Sequence, residues 1–417
     1  MTKLQLQSFL TEVLERVAIS CTDKFFTHFK FIQQERERLL DSAWNEIPSE
    51  EVTPEMKHFI FKEIDFDSVI THSKNYLKNA DDYFKLIFDI AIIAINYGQF
   101  EKARLLLEKI LKDNHSEIDD QLNAETHKLL GDIDFYKNDF NAAKESYGHS
   151  LSLFEKIKDT FQVAKIKNVL GVVHVEKNLP IEGKLLFLEA EKLAKEFNDP
   201  QLNIKIFVNL GIVNHRLGEY DDAMDYFNDA LKLLNGGNNK VQRASVLHNI
   251  AVVYKSKEDY GKASAYLMKS ISLAKETSNV YQKGISYKEF AEVTAHMGDI
   301  SKATTLATTT FQIFSELGAK MHVAEVYKLY GMINRMNKKY DVALAYLENS
   351  ERINQEYKNH YNLGETYLEM GEYYKETGDK NLSLANYQKA IKQFQLIQAA
   401  KKADIVEKAI NTLPFTT

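Results

Sequence analysis

Hydrophobic and polar positions along this chain recur on a forty-residue ruler. From Ala91 the step meets Gly131, Gly171, Gly211, Ala251, Ala291, Gly331 and Gly371, every one small. Twelve residues further on, Ala103, Ala143, Gly183, Ala223, Ala263, Ala303, Ala343 and Ser383 are small again. Three residues before these stand Phe100, Phe140, Pro180, Tyr220, Tyr260, Ile300, Tyr340 and Lys380, mostly large and aromatic. A further column reads Leu107, Tyr147, Phe187, Phe227, Leu267, Ala307, Leu347 and Tyr387. Eight units in register, without a one-residue slip, place this periodicity ahead of every other signal.

The columns predict two helices per unit, A and B. A small residue on each removes the side chain that would hold the axes beyond the usual ~8–10 Å. The stripe Ala223, Phe227, Ala230 follows the spacing of one apolar helix face. Gly98, Gly218, Gly298 and Gly378 fall between A and B, where a helix-ending residue takes the left-handed conformation. Asp159, Asp199, Asn239, Asn279 and Asn359 fall between B and the next A, where short polar side chains cap free amides.

Segments such as Asn209-Leu-Gly-Ile-Val-Asn-His-Arg-Leu-Gly-Glu-Tyr-Asp-Asp-Ala resemble tetratricopeptide repeats. Each unit is about six residues longer than the common 34-residue form, so longer helices are expected. Pro180, Ala307 and Lys380 depart from their columns, and the family's helix-ending proline is mostly missing. The resemblance implies an all-α, right-handed superhelical solenoid. The expected division is an N-terminal helical bundle or cap over 1–80, eight repeats over 81–398, and a capping helix and tail over 399–417.

Composition narrows the functional classes. With 44% hydrophobic and 27% charged residues, the 417-residue chain is expected to fold, and no apolar run is long enough for a membrane span. The N-terminus lacks the pattern of a signal peptide, so a cytoplasmic protein is expected. Net charge is −6 overall and −3 within 1–80, which argues against a basic nucleic-acid platform. The lone Cys21 has no basic neighbour to activate it and forbids an internal disulfide or a cysteine-pair zinc site. No phosphate loop, zinc-protease helix or nucleophile elbow is present, so no catalytic residue, cofactor or metal is expected. Asp221 and Asp222 fit the positive end of a helix dipole rather than acid–base chemistry.

The resemblance places the A helices on a concave binding face. Counting from the small column, that face takes Lys128, Asp132, Asn168, Asn209, His215, His248, Asn249, Lys255, Lys288, Glu292, Lys328 and Arg335. Asn209 and Asn249 share a register one repeat apart. Amides both donate and accept, so such a column grips a peptide backbone without reading its sequence. Lys128, Lys288, Lys328 and Arg335 have the charge to hold carboxylates. His215 and His248 are expected to be solvated. The leading expectation is a non-enzymatic module capturing a peptide or protein segment. An N-terminal bundle before forty-residue repeats with groove asparagines is also similar in architecture to Rap-type peptide-sensing regulators. In those, the bundle engages a response regulator under peptide control. Gln33 and Gln34 are candidate amides for a phosphoryl site, although an exposed helix surface is the expected reading for both. Direct action of residues 1–80 on a partner, and a pure structural scaffold, stand as further alternatives.

Overall fold

The computed structural model describes Glu12, Arg16 and residues 80–113, 119–234 and 239–413. The expected N-terminal bundle, Cys21, Gln33 and Gln34 lie outside these residues. The described residues hold seventeen α-helices and no strand. They are α1 (Ala80–Asn96), α2 (Phe100–Asp113), α3 (Asp120–Tyr136), α4 (Phe140–Lys156), α5 (Thr160–Glu176) and α6 (Pro180–Ala194). Next come α7 (Pro200–Leu217), α8 (Tyr220–Leu234), α9 (Lys240–Ser256), α10 (Tyr260–Glu276), α11 (Val280–His296) and α12 (Ile300–Glu316). The last are α13 (Lys320–Met336), α14 (Tyr340–Glu356), α15 (His360–Thr377), α16 (Lys380–Leu396) and α17 (Ala400–Asn411). Odd numbers are A helices and even numbers B. The fold is an all-α repeat solenoid, as the columns require.

Every helix begins on a multiple of twenty, so the backbone repeats at half the sequence period. Capping explains the regularity. Asp199 Oδ1 accepts from the amides of Gln201 at 2.8 Å and Leu202 at 3.2 Å, and Asn279 Oδ1 accepts from Gln282 at 2.9 Å. The same device recurs twenty residues out of step, where Asp259 and Asp299 cap the B helices α10 and α12. At the other end of α7, Gly218 closes the helix at φ +82°, and Gly378 closes α15 at +89°.

Within each pair, helix A meets helix B through residues sixteen apart. A Cβ built on Gly131, Gly171, Gly211 or Gly371 would run into the ring of Tyr147, Phe187, Phe227 or Tyr387. Where the small residue is alanine instead, the residue sixteen later is smaller: Leu107 after Ala91, Leu267 after Ala251, and Ala307 after Ala291. Gly331 with Leu347 is the one mixed pair. The summed volume is thus held nearly constant as its division between the helices shifts, which is how a core keeps its packing density.

The chain forms two compact units, 1–166 and 167–417, with the boundary inside α5. In the first, α1–α4 bury Leu86, Ile87, Ile90, Leu107, Ile133, Tyr147 and Phe154. In the second, the helix pairs close on themselves, for the final helix α17 returns to pack on α7. Lys401 Cβ lies 2.8 Å from where a Gly218 Cβ would sit, and Lys401 Nζ is 4.0 Å from Glu219. Arg216 of α7 stands 5.8 Å from the Tyr361 ring centre of α15, a face that Lys402 approaches at 5.6 Å. Helix α17 also buries Ala403 and Val406 against the last repeat.

Candidate functional site

Side chains of successive A helices of the second unit meet in a run of polar contacts. At its start Asn209 Nδ2 donates to Asn168 Oδ1 at 3.0 Å, tying α7 to α5. Asn249 takes the same register on α9, with no side-chain hydrogen bond among the described residues. His215 Nε2 and Ser256 Oγ lie 2.9 Å apart, and His248 Nδ1 and Ser286 Oγ 3.2 Å apart.

From α9 onward the run becomes a ladder of ion pairs between successive A helices. Lys255 Nζ meets Glu289 at 2.5 Å and Glu292 at 2.9 Å. Lys288 pairs with Glu289 at 3.0 Å and with Glu325 on the next helix. Glu325 also accepts from Asn362 Nδ2 at 3.2 Å. Glu365 is shared by Lys328 at 3.7 Å and Lys402 at 3.2 Å. Arg335 Nε donates to Glu369 at 2.6 Å, and its other arm pairs with Glu376. The recurring offset of 37 residues, as in Lys288–Glu325 and Lys328–Glu365, is one repeat less about one helical turn. Neighbouring A helices therefore present cation and carboxylate at the same height.

Burial and charge set the protonation of these groups. Burial opposes the charge on Lys255, but Glu289 and Glu292 more than offset it and hold the ammonium above its ordinary range. Burial likewise disfavours the Glu365 carboxylate, yet Lys402 and Lys328 bring its pKa down to about 2. Glu325 is lowered by Lys288 against the same desolvation. Glu369 is the exception: burial outweighs Arg335 and raises its pKa.

Two expectations change here. His248 is buried and His215 half-buried, where solvated rings were expected. Burial, aided for His215 by Lys402 and Lys255, pushes their pKa down to about 3 and about 4, so both rings are neutral. The expected cations are not idle either. Besides those on the ladder, Lys128 in the first unit pairs with Asp132 at 2.9 Å, and Tyr147 OH donates to the same carboxylate at 2.7 Å. An A helix faces the like side of its neighbours, so cations lined up along such a face attract carboxylates there. Glu289 and Glu369 stand in the register of Asn209 and Asn249, and stepping that column forward by forty finds them. Glu325, Glu365 and Lys402 lie outside the positions counted from the small column. No group of three or more metal-ligating side chains occurs among the described residues. No described helix is long and apolar enough to cross a membrane.

Residues 202–276 and 322–395 match the tetratricopeptide repeat family model. Photosystem I assembly protein Ycf3 of Prochlorococcus marinus subsp. pastoris is 24% identical over 119 residues, spanning 28% of this chain and 67% of that protein. Among solved structures, the apo quorum sensor NprR of B. thuringiensis aligns at a TM-score of 0.61 and 14% identity, covering 87% of this chain and 99% of that one. The Rap conjugation gene regulator of plasmid pLS20, solved with a Phr peptide, aligns at 0.56 and 16%, covering 87% and 96%. At such identities the likeness is one of fold. The tetratricopeptide repeat model thus accounts for residues 202–276 and 322–395, and the fold is like that of these Rap-type structures.

Proposed function

We propose that this tetratricopeptide-repeat protein is a non-enzymatic binding protein that takes an extended peptide or protein segment on the inner face of its second unit. One observation carries the reading: the A helices from α5 to α17 meet one another through amides and a ladder of charges. Asn249 has both amide functions to offer, while Asn209 keeps its oxygen and Asn168 its NH2 after their mutual bond. A ligand entering further along meets charges already paired. It gains affinity only by exchanging partners with them, since a buried charge left without one costs several kcal/mol. The site therefore favours ligands whose own polar groups match the ladder rung for rung. A regulatory role is part of the proposal. Its support is that proteins of like fold include a quorum sensor and a regulator bound to a peptide.

Selection from a displayed library of random extended peptides tests the reading. Wild-type protein should enrich a sequence family that the double variant Asn209→Ala, Asn249→Ala does not enrich. Identical families from both would move the binding surface elsewhere.

A further inference from the structure

The two sides of α17 are held by different chemistry. Toward the last repeat, Ala403 and Val406, with Leu413 just beyond the helix, are buried in one apolar cluster with Tyr367, Met370 and Phe394. Burial of apolar surface is the strong anchor here. Toward α7 the contact is polar, and no residue of α17 joins the apolar cluster that α7 shares with α8 and α9 around Phe227. Lys401 Nζ stands 4.0 Å from Glu219 with its side chain 58% exposed, a pair that water screens. Two cations, Arg216 and Lys402, approach the one Tyr361 ring at 5.8 and 5.6 Å. The fit is nonetheless close. At Gly98, Gly298 and Gly378, which make the same turn, an added Cβ would meet nothing within 4 Å, whereas at Gly218 it would lie 2.8 Å from Lys401 Cβ.

Each charged group at this seam also has a partner on its own side. Glu219 pairs with Lys184 of α6 at 2.5 Å, Arg216 with Glu176 of α5 at 3.4 Å, and Lys402 with Glu365 of α15 at 3.2 Å. His215 keeps its contact with Ser256 of α9. Parting α17 from α7 therefore strands no charge, and a stranded charge is what makes an ion pair costly to break. Other junctions of the run differ. Parting α11 from α13 would separate Lys288 from Glu325 and divide an apolar cluster that holds Ala291, Leu329 and Met332. Of the two, the seam between α7 and α17 is the one that opens at little cost.

We propose that this seam is an autoinhibitory clasp. In the free protein α17 closes the run of A helices against α7, and it parts from α7 together with the last repeat to admit a ligand. The proposal rests on the inner-face reading above and adds how that face is reached. An internal protein segment has no free end to thread through a closed run, so it enters where the run parts. The closed form competes with the ligand, and the fraction of molecules with the clasp open sets the apparent affinity.

The test is a distance measurement by pulsed electron paramagnetic resonance on the full chain. Cys21→Ser removes the native thiol, and spin labels go on Asp222→Cys of α8 and Asp404→Cys of α17, both exposed positions. With the seam otherwise native, one main short distance is expected. Lys401→Glu sets like charge opposite Glu219 at an exposed site and should enlarge a longer-distance population about fivefold. Gly218→Ala drives a Cβ into Lys401 and strains the left-handed turn, so it should act in the same direction. These distances need no ligand, so they decide the clasp even if the inner-face reading fails. A peptide selected by wild type from the random library should bind Lys401→Glu about threefold more tightly or better. A main long distance in the native seam, an unchanged distribution in both variants, or a variant that opens without binding more tightly would each overturn the proposal.

Discussion

His215 and His248 are kept neutral by their surroundings, with pKa values near 3 and 4 against about 6.5 in an unfolded chain. As pH falls through 6.5 the unfolded chain takes up protons that the fold refuses. The stability tied to these rings is therefore complete above about 6.5 and drains away below it, toward the folded values. Glu365 acts with the same sign lower down, its contribution present above the ordinary carboxylate range and lost toward about pH 2. Thermal melts should accordingly show Tm dropping between pH 7 and 5, and His215→Gln, His248→Gln should flatten that drop. Equal slopes would clear the histidines. Packing at this scale allows a second forecast. A Cβ at Gly371 meets the Tyr387 ring, with Cζ 3.0 Å away, so Gly371→Ala should cost about 1–3 kcal/mol. Adding Tyr387→Leu should recover part of that loss, because the chain already pairs alanine with leucine at Ala251 and Leu267. Chemical denaturation of the single and double variants measures the coupling, and strictly additive losses would refute the volume exchange. The small column is legible in the sequence because it is a single residue type at a fixed step. Burial of the histidines is not legible there, since His215 faces Lys402 on the returning α17 and His248 faces Ser286 and Glu289 on α11.

Helices here are set by caps and turns as much as by apolar stripes. Asp199, Asn239, Asn279 and Asn359 are readable as caps because they repeat every forty residues, and each accepts an amide as expected. The caps of the B helices, such as Asp259 and Asp299, keep the same forty-residue step in a second column, half a period from the first. Ala223 shows how tightly the elements meet: it is fully buried in a cluster with Phe227, Ala230, Val246 and Ile250. Ala223→Leu should overpack this junction and cost on the order of 1–3 kcal/mol. Apart from the return of α17 to α7, stacked repeats contact only their neighbours, so faster amide exchange should be confined to α7–α10 and α17. An unchanged melting curve, or exchange rising equally in α15 and α16, would show that the helix pairs are not coupled in this way.

Across the molecule, the repeat columns place the expected positions on the A helices and describe their cations as available. The structure pairs each of those cations: Lys128 within its own helix, Lys255, Lys288 and Lys328 with carboxylates 37 residues on, and Arg335 with Glu369 and Glu376, offsets that a search for forty does not see. Asn209 and Asn249 remain the positions where the backbone of an extended chain has most to gain. Neighbouring A helices stand about 9–10 Å apart, so the two amides would span roughly three residues of extended peptide at up to ~3.5 Å each. Every lost contact should weaken binding by about 0.5–1.5 kcal/mol, more if a peptide group is left buried and unpaired. The most direct test is calorimetric titration of a library-selected peptide into wild type and into Asn209→Ala, Asn249→Ala. The account predicts a loss of about tenfold or more with helical content unchanged. Equal affinities for the two proteins would contradict it.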